Sequence, residues 1–205
     1  IGNVLVTDTV YNSNLDEYLP SEMDVPFGAL ADGYHGVGNL TVANGGKVFV
    51  SGEDTDDNSL YLGAESGSNG TLLVTDPGSL LLVEQDDGDS TGAVIIGDAG
   101  TGNLTVANGG NATFDTYDND GTSLALGRSS GGNGTVLVTG ANSSLSIIDD
   151  EYATVIGGDG NGTFTVANGG YFYDNAYDDN NVAIYLGQNV TGNGTLTVTG
   201  DGSSL

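Results

Sequence analysis

The chain has 205 residues, 36 of them Gly and 3 Pro, with no Cys and a formal net charge of −26; Lys47 and Arg128 are its only fixed cations. Absent Cys excludes disulfides and thiolate metal sites, and so acidic a surface repels phosphate backbones and anionic lipid heads, which argues against nucleic-acid binding. No Gly recurs at every third residue, which excludes collagen, and no apolar run approaches the ~18 residues of a spanning helix, so no direct membrane insertion by this segment is expected.

In chain order, the first recognisable element is Asn3-Val4-Leu5-Val6, one copy of the phrase x-Leu-x-Val. Residues 8–37 are irregular and hold Pro20, Pro26, Met23 and the single His35. This stretch reads as an insertion in the first coil or as a cap, with Val25-Pro26-Phe27-Gly28 as a degenerate copy of a later element. The phrase then returns at Leu40/Val42, Leu72/Val74, Leu104/Val106, Val136/Val138, Phe164/Val166 and Leu196/Val198. From Val42 onward its final valines are 32, 32, 32, 28 and 32 residues apart, and the step from Val6 to Val42 is 36. Self-similarity at such a period marks a solenoid or propeller. The residues after the valine alternate: Ala-Asn-Gly-Gly at 43–46, 107–110 and 167–170, and Thr after Val6, Val74, Val138 and Val198. A two-coil unit of 60–64 residues therefore contains the single unit.

Each unit carries two further short apolar segments. One ends in apolar-Gly, as in Leu60-Tyr61-Leu62-Gly63 and Ile184-Tyr185-Leu186-Gly187; the other comes after the Gly-rich turn, as in Val48-Phe49-Val50 and Leu145-Ser146-Ile147. All alternate with period 2, the pattern of strands, and no 3.6-residue period of useful length appears. Three strands with two inward residues each cannot form a core alone; stacked coils bury them as ladders of like residues. The expected fold is all-β: a right-handed parallel β-helix (β-solenoid) with three short strands per coil of about 32 residues. A propeller needs four strands and 40 or more residues per blade and fits poorly. Residues 1–37 form the first coil with its irregular insertion or cap, and 38–205 the regular repeats of one continuous domain. The chain starts and stops in mid-unit, as a fragment of a longer array would.

Gly-Asn-Leu-Thr-Val-Ala-Asn-Gly-Gly, at 38–46 and 102–110, resembles the repeat of bacterial autotransporter passenger domains and of some exported proteins with PEP-CTERM sorting signals. The resemblance covers roughly residues 38–205. It implies β-helical stalks at the bacterial cell surface or outside the cell, many of them adhesins, and it implies no catalytic residue.

Acidic residues gather at one place in the repeat, between the segment after the turn and the apolar-Gly segment. They include Asp54, Asp56 and Asp57; Asp86, Asp87 and Asp89; Asp118 and Asp120; Asp149 and Asp150; and Asp178 and Asp179. Stacking places these clusters along one edge, where carboxylates repel. Two readings stand: a solvated acidic edge, or a set of oxygen ligands for Ca2+, which suits flexible Asp/Asn sites. No cofactor is required. Carboxylate pairs recur in nearly every coil, and Lys47 and Arg128 fall in different parts of their repeats, so no single catalytic centre forms. His35 reads as a solvent-exposed side chain. Outward Tyr61 and Tyr185 could stack on surface glycans, and outward apolar Leu73, Leu81, Ile95, Leu137 and Val155 are candidates for contact between rods.

The function expected is a non-catalytic, extracellular structural or adhesive segment that self-associates through rod ends or lateral faces. Both ends carry the same repeat phase, from which head-to-tail continuation of the ladders is expected. The alternative is a Ca2+-dependent carbohydrate-binding module and, behind it, a polysaccharide-degrading enzyme.

Overall fold

The computed structural model describes residues 2–7, 9–12, 17–26, 28–51, 59–84, 92–116, 122–148, 152–175 and 182–205. Among these residues there is no α-helix. Each x-Leu-x-Val phrase is a strand, and the seven strands pair parallel in chain order to form the phrase sheet: Gly2–Thr7, Val37–Ala43, Asn69–Thr75, Thr101–Ala107, Asn133–Thr139, Asn161–Ala167 and Asn193–Thr199. Six strands after the turn form the post-turn sheet: Glu22–Val25, Lys47–Ser51, Leu80–Glu84, Asn111–Asp115, Ser144–Ile147 and Tyr171–Asp174. Six more form the apolar-Gly sheet: Leu30–Asp32, Leu60–Leu62, Val94–Ile96, Thr122–Leu126, Ala153–Ile156 and Ile184–Leu186. Each pair within these three sheets is parallel and joins a coil to the next, which makes the chain a β-solenoid with three strands per turn.

Register confirms the ladders. Val106 pairs with Val74 on one side and Val138 on the other, as Leu104 does with Leu72 and Val136. All six are buried. The post-turn and apolar-Gly sheets add Val48/Val50, Leu81/Val83, Phe114 and Leu60/Leu62 to the same core. Phe164 and Phe172 pack across it with ring centroids 4.4 Å apart. Each strand supplies two inward residues, and the coils above and below remove them from water.

Three expectations about particular residues are corrected. Leu81 does not point outward: it aligns with Val48 and Ala112 and is buried in the core. Its segment, Leu80-Leu81-Leu82-Val83, is apolar throughout, so alternation alone cannot phase it. The copy of the apolar-Gly element in the first coil is Leu30-Ala31-Asp32-Gly33, paired with Leu60–Leu62. Val25 belongs to the post-turn sheet instead, opposite Val50. Outward Ile95 and Val155 are buried, in a small outer cluster with Ala93 and Ala125 against which Tyr61 and Tyr185 pack.

The first coil also carries an antiparallel hairpin, Thr9–Asn12 with Glu17–Pro20. Lys47 pairs with both Leu80 and Glu22, so Ser21 takes the position Ser79 holds two coils later. The hairpin thus stands where the later coil has the short turn Asp76-Pro77-Gly78.

Alternation of the residue after valine has a structural cause. Four residues, such as 107–110, connect the phrase to the next strand in the Ala-Asn-Gly-Gly coils, and five, such as 139–143, in the Thr coils. In the four-residue turn Asn44, Asn108 and Asn168 take φ values of 50–51°, a left-handed conformation that Asn tolerates, and Gly comes next with φ of 83–88°. The turn is held from both sides. Its Asn Nδ2 donates to the Thr hydroxyl of the preceding coil: Asn44 to Thr7 at 3.0 Å, Asn108 to Thr75 at 3.2 Å and Asn168 to Thr139 at 3.3 Å. Its first Gly N–H donates to the Ser hydroxyl of the following coil: Gly45 to Ser79, Gly109 to Ser143 and Gly169 to Ser203, at 2.9–3.0 Å. Its second Gly lies against the preceding valine carbonyl, where a Cβ on Gly110 would come within 2.6 Å of Val74 O.

Candidate functional site

Two corners and one outer face of the solenoid carry the polar chemistry. The acidic segments join the post-turn strands, which end near Ser51, Glu84, Asp115, Ile148 and Asn175, to the apolar-Gly strands, which begin near Ser59, Gly92, Thr122, Tyr152 and Val182. Every candidate ligand, from Asp54, Asp56 and Asp57 through Asp86, Asp87, Asp89, Asp118, Asp120, Asp149 and Asp150 to Asp178 and Asp179, lies outside the described residues. The strand ends that anchor these segments are in register, Ser51 beside Glu84 and Glu84 beside Asp115. Buried Ser59 and Ser123 reach across this corner, donating to the carbonyls of Gly92 at 3.1 Å and Tyr152 at 3.2 Å. No group of three or more ionisable metal-binding side chains occurs among the described residues.

At the opposite end of each apolar-Gly strand the chain turns at a Gly and stacks a second corner. Here backbone bonds run between coils, such as Asp159 N to Arg128 O at 2.9 Å and Gln188 N to Gly157 O at 2.9 Å. Side chains add to the stack: Ser129 donates to Asp98 at 2.6 Å and Thr191 to Asp159 at 3.0 Å. Between this corner and the outer face lies a groove of about 250 Å³, floored by Ala125 and Val155 and edged by Arg128, Asp159, Gln188 and Asn189. Tyr185 aligns with Val155 on the adjacent strand. Lys47 opens a post-turn strand and is not part of this edge.

His35 is a largely exposed side chain at the same corner; its Nδ1 lies 3.0 Å from Glu65 Oε2, and Tyr34 meets its ring edge-on. An exposed pair of this kind contributes little to stability. The residue that sequence reasoning missed is Asp32. It sits inward, in line with Leu62 and only 8% exposed. Its Oδ2 accepts the Thr71 N–H at 3.0 Å. Burial pushes its carboxyl up to about 6, against the pull of the Thr71 and Leu40 N–H groups. It borders a second hollow of about 340 Å³ on the first coil, shared with Val4, Met23, Tyr34 and Leu40. Had Leu30-Ala31-Asp32-Gly33 been aligned with Leu60–Gly63, the carboxyl at an apolar ladder position would have stood out.

No protein-family model, no curated protein and no solved structure matches the chain.

Proposed function

We propose that this chain is a non-catalytic structural and adhesive segment of a bacterial surface or secreted protein, a stiff acidic rod that works outside the cell and self-associates. The observation that carries the reading is the in-register stacking of seven phrase strands, which repeats one outer surface coil after coil at about 4.8 Å spacing. Along the phrase sheet the outward column reads Leu5, Thr41, Leu73, Thr105, Leu137, Thr165. Asn amides stack beside it in two columns, Asn39 to Asn3 at 2.9 Å in one and, two positions earlier along the strand, Asn161 to Asn133 at 3.1 Å in the other. Such a surface offers weak contacts many times over, and multivalency converts these into avidity. The likeness of residues 38–205 to autotransporter and PEP-CTERM-associated repeats supports the same location. Light scattering across NaCl and Ca2+ series is the test. Association should grow with protein concentration once salt screens the charge of −26. A strictly monomeric species under all conditions would leave a passive stalk.

The groove beside Tyr185 favours a second reading, a Ca2+-dependent carbohydrate-binding module. Planar polar side chains around an apolar floor suit a sugar face. Glycan-array binding that needs Ca2+ and is lost in Arg128→Ala would replace the structural reading with this one.

A further inference from the structure

We propose that a second copy of this chain docks on the outward face of the phrase sheet, the two copies meeting face to face with their long axes antiparallel. The proposal rests on the self-association stated above and gives it a surface and a geometry. Charge is the first observation. None of the seven phrase strands carries an ionisable side chain, in a chain with 28 acidic residues. The post-turn strands, by contrast, carry Glu22, Asp24, Lys47, Glu84, Asp115 and Asp174. They and the apolar-Gly strands flank the corner where the acidic segments run, and the phrase sheet does not. Two rods that meet on their phrase sheets therefore join uncharged sides and hold their acidic edges apart, where repulsion is weakest.

Shape is the second. The outward column alternates long and short side chains, with Leu73 and Leu137 on either side of Thr105 and Thr41 before them. The next column along the strands alternates in step, Thr75 and Thr139 about Ala107. Each Thr coil is thus a ridge and each Ala-Asn-Gly-Gly coil a trough, with ridges about 9.6 Å apart. Leu73 and Leu137 are only half-buried, although a coil stacks on each side of them. A two-fold axis parallel to the strands, between the coils of Leu73 and Thr105, reverses the rod and keeps the columns facing. It sets Leu73 over the partner's Thr105, Leu137 over the partner's Thr41 and Thr75 over the partner's Ala107. Ridge fills trough along the whole face, and the contact closes as a dimer. A two-fold axis along the rod would set ridge on ridge. Hydrogen bonding is the third observation. Asn39, Asn161 and Asn193 donate to Asn3, Asn133 and Asn161, and the Thr7, Thr75 and Thr139 hydroxyls accept from the turn Asn residues. Polar groups bonded within the rod cost less to dry. Six matched coils of about four outward residues cover on the order of 600 Å² per copy, the low end of a specific interface. Such a contact suits rods that associate only once salt screens their charge.

Sedimentation velocity of the full chain in high NaCl tests the face. Leu73→Thr combined with Leu137→Thr levels the ridges with the residue that Thr41 and Thr105 already place in that column, so the melting curve should be kept. Dimerisation should weaken by about tenfold or more. Thr105→Leu fills the central trough and should weaken it similarly, whereas mere apolar stickiness would strengthen it. Tyr173→Ser, on the exposed side of the post-turn sheet, should change nothing. The chain has no Cys, so Thr195→Cys takes one spin label per copy. Antiparallel pairing should hold the two labels about 35 Å apart, and a parallel pair about 10 Å. Undiminished dimerisation of the levelled variant, tighter dimerisation of Thr105→Leu, loss of dimers in Tyr173→Ser, or labels at the shorter distance would overturn the paired face and leave self-association standing. A wild-type chain that stays monomeric at every salt and protein concentration would remove self-association itself, and this proposal with it.

Discussion

Replacing Val106 by Asp puts the stacked core to its severest test. Val106 is fully buried between Val74 and Val138, with Leu104 and Leu72 two residues away along the strands. A carboxyl there can stay neutral only by raising its pKa some 3–5 units, and protonating a group of ordinary pKa near 4 at neutral pH costs about 1.4 kcal/mol per unit, so about 4 kcal/mol is lost at neutral pH. Lost valine burial adds about 1–2 kcal/mol. The sum approaches the whole stability of an ordinary domain. In a solenoid each coil touches only its neighbours, so the damage should uncouple the coils on either side of Val106 first. Val198→Asp is the control: Val198 is 44% exposed and has Val166 as its ladder neighbour, so its cost should be about 1–2 kcal/mol. Urea unfolding monitored by circular dichroism, with hydrogen exchange to locate the broken coils, measures both. Part of the Val106→Asp loss should return below pH 4, where the carboxyl is neutral in both states. Equal unfolding midpoints for the two variants would refute the reasoning.

Named contacts set the other expected outcomes. Millimolar Ca2+ should raise the melting temperature more than Mg2+ or matched NaCl if the acidic corner binds the ion through linkage; equal shifts would identify plain screening. Because burial raises the Asp32 carboxyl from its ordinary 3.8 to about 6, the folded state binds this proton more tightly. Its stabilising contribution is thus full below about pH 4 and lost as pH rises through 6; Asp32→Asn should flatten that part of the stability profile, and parallel curves for the two proteins would count against it. Ser143→Ala removes the acceptor for Gly109 N–H and the donor to the Thr139 carbonyl, at 2.9 and 2.8 Å; it should cost about 1–3 kcal/mol, and a loss below about 0.5 kcal/mol would mean the turn is held otherwise. The Thr154 hydroxyl is buried in line with Leu124 and Ile184 and has no hydrogen-bond partner among the described residues. Thr154→Val keeps the shape and should stabilise by about 1 kcal/mol, as the midpoint of urea unfolding would report.

The ladders were legible because period-2 alternation and a fixed repeat length leave little choice of inward residue. Leu40, Leu72 and Leu104 could be stacked on paper as they stack in space. Leu81 could not, because a run of four apolar residues has no phase until Val48 and Ala112 are seen beside it. The first apolar-Gly strand hid behind Asp32, since a carboxyl at a core position breaks the pattern being sought. The burial of Ile95 and Val155 is a property of the surrounding outer face, which no alternation rule contains. The alternation of Ala-Asn-Gly-Gly with Thr was plain in the sequence, but its meaning was not. It needs two coils in contact, an amide from one and a hydroxyl from the other.

The four- and five-residue turns also constrain how such a chain lengthens over generations. Duplicating the stretch that encodes a single coil would set two like turns in contact and forfeit the Asn–Thr and Gly–Ser bonds at the new junction. Duplicating two coils together, as from Gly38 to Gly102 through Gly70, restores every junction. Arrays built on this plan should therefore differ in length by even numbers of coils, while insertions of other sizes collect at turns, as the Thr9–Pro20 hairpin does.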